Sequence, residues 1–191
     1  MKFTYREVRD LAVSVTVLAL VFSGFDISLL IPTLFIMTAV FLSHEILGHK
    51  MVAQHYECEA EYRMWPLGLL LGMVTALLGG FIFAAPGAVY ISPVIRKNFT
   101  FNVSRLTQRE YAFISAAGPI VNIIVAFGMI AINQFYPWDI FMLTAKLSFF
   151  LALFNLIPFP PLDGEKIIRW NWKFWLVILI SAIAGYVLIY L

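Results

Sequence analysis

A chain of 191 residues that is 62% hydrophobic and 13% charged is too apolar for a soluble globule, where apolar usage runs at about 45–50%. Its formal charge of +2 is too small to suggest a nucleic-acid partner, and the single cysteine, Cys58, excludes an intrachain disulfide and a CxxC metal site. What remains is an all-α polytopic membrane protein in the lipid bilayer of the cell membrane, with residues 1–191 forming one helical domain and no oligomeric state assigned.

In chain order, residues 11–31 are apolar but interrupted by Gly24 and Asp26. With no clear small-x-small cleavage site after Lys2, Arg6 and Arg9, this stretch is expected to stay as a helix and not to be removed as a leader. Residues 27–53 are apolar until two histidines appear, so two adjacent helices joined by a short turn are predicted. Further spans are predicted over 111–135, 140–157 and 172–191, each near the roughly 20 residues that a bilayer crossing needs. The stretch 65–90 is peculiar, because Gly68, Gly72, Gly79, Gly80 and Gly87 punctuate it and Pro66 and Pro86 sit near its ends. Irregular backbone at membrane depth is tolerated only where protein or a water-filled cavity surrounds it. The expectation is therefore about five to six transmembrane helices with a re-entrant or β-hairpin segment around 65–91, in which Phe81, Phe83, Val89 and Tyr90 lie on extended strands. A glycine-rich helix packed closely on its neighbours is the alternative.

Loop charge sets the expected orientation. If the N-terminus with Lys2, Arg6 and Arg9 is cytoplasmic and 65–91 re-enters, then Arg96, Lys97, Arg105 and Arg109 fall on the same side, as do Lys166, Arg169 and Lys173. The turn at 133–139 carries no Lys or Arg and faces out. Residues 44–50 then lie towards the cytoplasmic face.

The chemistry sits in Ser43-His44-Glu45-Ile46-Leu47-Gly48-His49, at the end of the second apolar run. A charged side chain at membrane depth costs roughly 2.5–3.5 kcal/mol on insertion scales, so three ionisable groups this close together point to a metal. The spacing is unusual: the zinc-hydrolase helix motif is HExxH, whereas the second histidine here is five residues after the first. A second polar block, Asn155-Leu156-Ile157-Pro158-Phe159-Pro160-Pro161-Leu162-Asp163-Gly164, closes the span 140–157 and comes to the same membrane face. Asp163-Gly164 alone reads as a turn. Beside two histidines, Asp163 completes a set of three protein ligands with a fourth position left for water, the pattern of catalytic zinc.

Three blocks together resemble the site-2 protease family of intramembrane zinc metalloproteases: His44 to His49, then Gly118-Pro119-Ile120-Val121-Asn122, then Asn155 to Gly164, which matches the family's NxxPxxxLDG pattern. The similarity runs from about 41 to 169, and Pro66-Leu67-Gly68 with Ala85-Pro86-Gly87-Ala88-Val89-Tyr90 resembles an archaeal branch. The resemblance implies one Zn2+ per chain, hydrolysis of a peptide bond within or beside a membrane span of a transmembrane protein substrate, Asp163 as third ligand beside His44 and His49, and Asn155 orienting the substrate carbonyl. Glu45 would be the general base. Asn122 could assist the oxyanion or could bond to a neighbouring helix, and Ser43 could orient a histidine. Residues Ala88, Val89, Tyr90 and Ile91 form a candidate edge strand that clamps an unwound substrate by strand addition.

The fivefold spacing departs from that family pattern. On a regular helix, residues four apart lie about 40° apart around the axis, and residues five apart about 140°. A wide turn with i to i+5 bonding, a type that concentrates at functional sites, would restore one face, and Gly48 eases such a distortion. Otherwise Glu45 and His49, four apart, hold the metal without His44, or the protein is an inactive relative acting as a membrane binding protein or chaperone. A transporter would also carry intramembrane acids but should show internal repeats, and the chain has none that its sequence reveals.

Overall fold

A computed structural model of the chain describes residues 1–79, 82–92, 94–97, 100–103 and 106–190. Helix α1, Tyr5–Phe22, starts where the Thr4 hydroxyl accepts the Glu7 N–H, one of the donors a helix start leaves without a partner. It ends before Gly24 and Phe25, both at positive φ, and Asp26 caps α2, Ile27–Leu42, by accepting from the Ser28 N–H. No break follows. The helix continues through a π-helical segment, Ser43–Lys50, into α3, Met51–His55, so the expected helix over 27–53 is one rod of 29 residues, Ile27–His55.

Strand β1, Glu59–Met64, was not anticipated, although Ala60, Tyr62 and Met64 alternate with Glu59, Glu61 and Arg63 in the period-two pattern of a strand. It pairs antiparallel with β2, Gly87–Ser92, placing Tyr62 opposite Val89. Between them, α4 spans Pro66–Leu77. The 65–91 segment is thus part helix and part strand. Its strand partner is β1, where the reading expected the segment to fold back on itself. The reason lies in the small residues: a Cβ on Gly68 would collide with the Ala85 carbonyl and the Trp65 ring, so α4 lies flat on the chain at 83–86 and holds Phe83 outside any strand. Phe81 lies outside the described residues. A second pair, β3 (Val94–Lys97) and β4 (Thr100–Val103), is also antiparallel.

Helix α5, Gln108–Phe135, opens with a reciprocal cap between Thr107 and Glu110 and packs against the π-helical segment, α6 (Asp139–Asn155) and α7 (Asp163–Trp170). Helix α8, Trp172–Leu188, closes on α5, α6 and α7. One core joins α1, α2, the sheet and α6; another joins α5, α6 and α8. Among the described residues two helices, Ile27–His55 and Gln108–Phe135, are long and apolar enough to cross a membrane, and Trp172–Leu188 is a shorter apolar helix. Outward-facing side chains on the first are large and apolar: Ile27, Ile31 and Phe35 are 84%, 66% and 71% exposed.

Candidate metal centre

The wide turn is present, and it extends over two turns of helix. Within Ser43–Lys50 the ladder runs from i to i+5, as in the bond from the Met51 N–H to the Ile46 carbonyl, which spreads each turn enough to return residues five apart to one face. His44 and His49 accordingly meet, their Nε2 atoms 3.1 Å apart. Gly48 adjoins Gly118 of α5 so closely that a Cβ on either would collide, at Gly118 with the Nε2 atoms of both histidines. The two glycines bring the π-helical segment onto α5, with the rings wedged between.

Asp163 arrives from α7, whose first residue it is. Gly164 must follow it, because a Cβ there would strike the Leu156 carbonyl at the end of α6. This contact folds the proline-rich turn back and carries Asp163 to the histidines. Its Oδ2 lies 3.1 Å from His49 Nε2 and 3.9 Å from His44 Nε2. Tetrahedral zinc with bonds of about 2.0–2.2 Å holds its ligands roughly 3.3 Å apart. The three groups are all buried, and one ligand atom from each fits within 4.8 Å, so two soft-to-borderline nitrogens and one carboxylate match the donor set of a catalytic zinc in number, chemistry and spacing.

Outer contacts aim these ligands. His49 Nδ1 lies 2.8 Å from the Ile114 carbonyl, which can only accept, so Nδ1 carries a proton and Nε2 turns towards the cluster. Lys166 donates to Asp163 Oδ1 at 3.1 Å, leaving Oδ2 for the histidines. Lys166 is the residue that sequence reasoning missed, and its position three after Asp163 on a helix was the available signal. Ser43 does not orient a histidine: its hydroxyl donates to the Ala39 and Val40 carbonyls of its own helix.

Glu45 lies beside the cluster, buried, with its Oε2 lacking any hydrogen-bond partner among the described residues. A cavity of about 500 Å³ opens on these groups, and Glu45, Asn155 and residues 88–91 of β2 line it together. Asn155 donates one amide hydrogen to the Leu151 carbonyl, and an NH2 group has a second to give. Asn122 is wholly buried, and its amide lies 3.1 Å from His44 Nδ1, so it meets a histidine behind the cluster and does not line the cavity.

The sheet presents one pairable edge to the same cavity. Along β1 the N–H groups of Tyr62 and Met64 are taken from outside by Glu7 and Asp10 of α1, at 3.1 and 3.3 Å. Residues 59, 61 and 63 therefore make the ladder bonds to β2, and by the antiparallel register Ser92, Tyr90 and Ala88 are their partners. The main-chain groups of Val89 and Ile91 point the other way, along the free edge.

No family model and no solved structure matches the chain. Two named proteins do. The chain is 37% identical to "Putative zinc metalloprotease MJ0611" of Methanocaldococcus jannaschii over 98% of its own length and 95% of that protein's. It is 29% identical to "Putative zinc metalloprotease YwhC" of Bacillus subtilis over 73% of this chain and 69% of that one. With identity at that level across nearly both full lengths and a buried His44, His49 and Asp163 cluster in place, the chain belongs to the site-2 protease-like family of zinc metalloproteases.

Proposed function

We propose that the protein is an intramembrane metalloprotease that binds one zinc through His44, His49 and Asp163 and hydrolyses a peptide bond within or beside the membrane span of a transmembrane protein substrate. The observation that carries this reading is the convergence of those three ligand atoms beside a buried Glu45 without a hydrogen-bond partner, in a cavity shared with a strand edge. The fivefold spacing, which was the argument for an inactive relative, is absorbed by the π-helical segment.

Zinc held by His44, His49 and Asp163 would supply Lewis acidity there, polarising the scissile carbonyl and lowering the pKa of water to about 7. Glu45 accepts the attacking water's proton and passes it to the leaving nitrogen, so that one group serves as base and then acid. Asn155 donates its remaining amide hydrogen to the carbonyl oxygen as negative charge builds there. A helical substrate hides its carbonyls in its own hydrogen bonds, so the cleaved stretch must open first. The free edge of β2 holds that stretch extended, through the main-chain groups of Val89 and Ile91.

The membrane setting rests on the same helix. His44 lies 17 residues beyond Ile27, roughly 25 Å along an axis rising 1.5 Å per residue, which places the cluster near the far face of a hydrocarbon core about 30 Å thick. With Lys2, Arg6 and Arg9 kept cytoplasmic, as the positive-inside rule favours, that face is the cytoplasmic one. The helices α1, α6 and α8 complete a five-span bundle in this reading, with α4 and the sheet re-entering around the cavity.

The test is cleavage of a model membrane-spanning peptide by the zinc-loaded protein in lipid vesicles, set beside Glu45→Gln. Cleavage by the wild type and none by the variant, with about one zinc per chain in both, is expected. A variant that cleaves at the wild-type rate, or a zinc-loaded wild type that leaves the peptide intact, would overturn the reading.

A further inference from the structure

We propose that Asn122 is a positioning residue for the metal: its side-chain carbonyl holds the His44 ring in the tautomer that turns Nε2 to the zinc. This rests on the zinc reading above and extends it to α5. Each candidate ligand has an outer partner; His44 has two, the Gly118 backbone and Asn122, whereas the partners of His49 and Asp163 leave no ambiguity. The Ile114 carbonyl can only accept from His49 Nδ1, and the Lys166 ammonium can only donate to Asp163 Oδ1. Asn122 differs, because its amide can present either an acceptor or a donor to His44 Nδ1, 3.1 Å away.

Those two orientations fill nearly the same space and differ by a half-turn about χ2. With Nδ2 facing His44, the ring accepts at Nδ1 and carries its proton on Nε2, pointing at His49 Nε2 only 3.1 Å away. His44 is then no ligand, and Asn122 Oδ1 is left buried with no hydrogen-bond partner among the described residues. The half-turn places Oδ1 on Nδ1–H and returns the Nε2 lone pair to the cluster, so a metal bound by His44 requires the carbonyl-facing amide. The backbone is arranged for this contact. Gly118, one turn before Asn122 on the same face of α5, leaves room for both rings that a Cβ would destroy. The sequence block Gly118 to Asn122 thereby supplies clearance at one end and orientation at the other.

Metal affinity of the purified full chain decides the matter, measured by competition between wild type or variant and a zinc-chelating indicator. Asn122→Asp keeps an acceptor at Nδ1 and should bind zinc within a few-fold of wild type, while Asn122→Leu, similar in volume with no acceptor, should bind about 10- to 100-fold more weakly. The ligand-field spectrum of the cobalt-substituted leucine variant should differ from wild type, and that of the aspartate variant should not. If the leucine variant does not fold, Asn122→Gln, which shifts the amide by one methylene, should show the same loss. Zinc bound by the leucine or glutamine variant within about twofold of wild type, or lost as fully by the aspartate variant, overturns the proposal alone. A wild type that takes up no zinc overturns it together with the zinc reading.

Discussion

Adjacent residues of one helix, His49 and Lys50, belong to two buried clusters of ionisable groups that are built on opposite principles. Lys50 is complete: its ammonium donates to both carboxylate oxygens of Glu7 and to the Lys2 carbonyl, and Glu7 also accepts the Tyr62 N–H of β1. Positive charge meets negative charge, and each hydrogen meets an oxygen. The His49 cluster is incomplete, for it brings one candidate ligand atom each of His44, His49 and Asp163 within 3.9 Å and leaves a Glu45 oxygen without a hydrogen-bond partner among the described residues. Burying a satisfied ion pair ties elements together, here α1 and β1 to the helix that carries His44 and His49. Burying a surplus of acceptors makes sense only if a cation arrives.

This contrast is open to direct attack. Removing the incomplete cluster as the triple variant His44→Ala, His49→Ala, Asp163→Ala should abolish cleavage and take zinc content from about one per chain to none, while the thermal midpoint of the metal-free protein stays level or rises. A fall in that midpoint would show the cluster to be structural. Glu45→Gln should then cut the cleavage rate by about 10²–10⁴-fold with zinc content unchanged, as read by peptide cleavage and metal analysis on the same preparation. The complete cluster should respond in the opposite way. Lys50→Met strands the Glu7 carboxylate and should destabilise the fold by about 3–5 kcal/mol, whereas the double variant Glu7→Leu, Lys50→Met should recover most of that loss; chemical denaturation of both variants checks it.

The smallest effect belongs to the free strand edge. Val89→Pro removes a donor that faces the cavity and should slow cleavage roughly tenfold, near the worth of one or two hydrogen bonds, with zinc content and melting temperature unchanged. Tyr90→Pro removes a ladder bond to β1 instead, so it should lower the melting temperature. Equal melting behaviour of the two variants would contradict the register derived for the open edge.

Much of this was legible in the residues. The spans expected over 111–135, 140–157 and 172–191 from apolar run length are helices over Gln108–Phe135, Asp139–Asn155 and Trp172–Leu188, and the spacing of His44 and His49 announced the wide turn. The strand β1 was missed, although the charged Glu59, Glu61 and Arg63 alternate along it with Ala60, Tyr62 and Met64. Its outer edge is in fact capped by Glu7 and Asp10, contacts more than fifty residues distant that no local pattern announces. Helix α7 was missed for a similar reason: Asp163-Gly164 has turn chemistry, and the helix follows from how Gly164 packs on the end of α6.

From sequence alone came the membrane-like composition, the ligand candidates, the candidate base and the expectation of an edge strand near Val89, since each depends on residue type and short spacing. Only the tertiary structure decided that β2 pairs with β1 and leaves Val89 and Ile91 facing the cavity, that Lys166 backs Asp163, and that Asn122 meets His44 from behind. The last of these joins residues 78 positions apart. Close approach at Gly48 and Gly118 sets it, and such approach depends on the whole bundle closing at once.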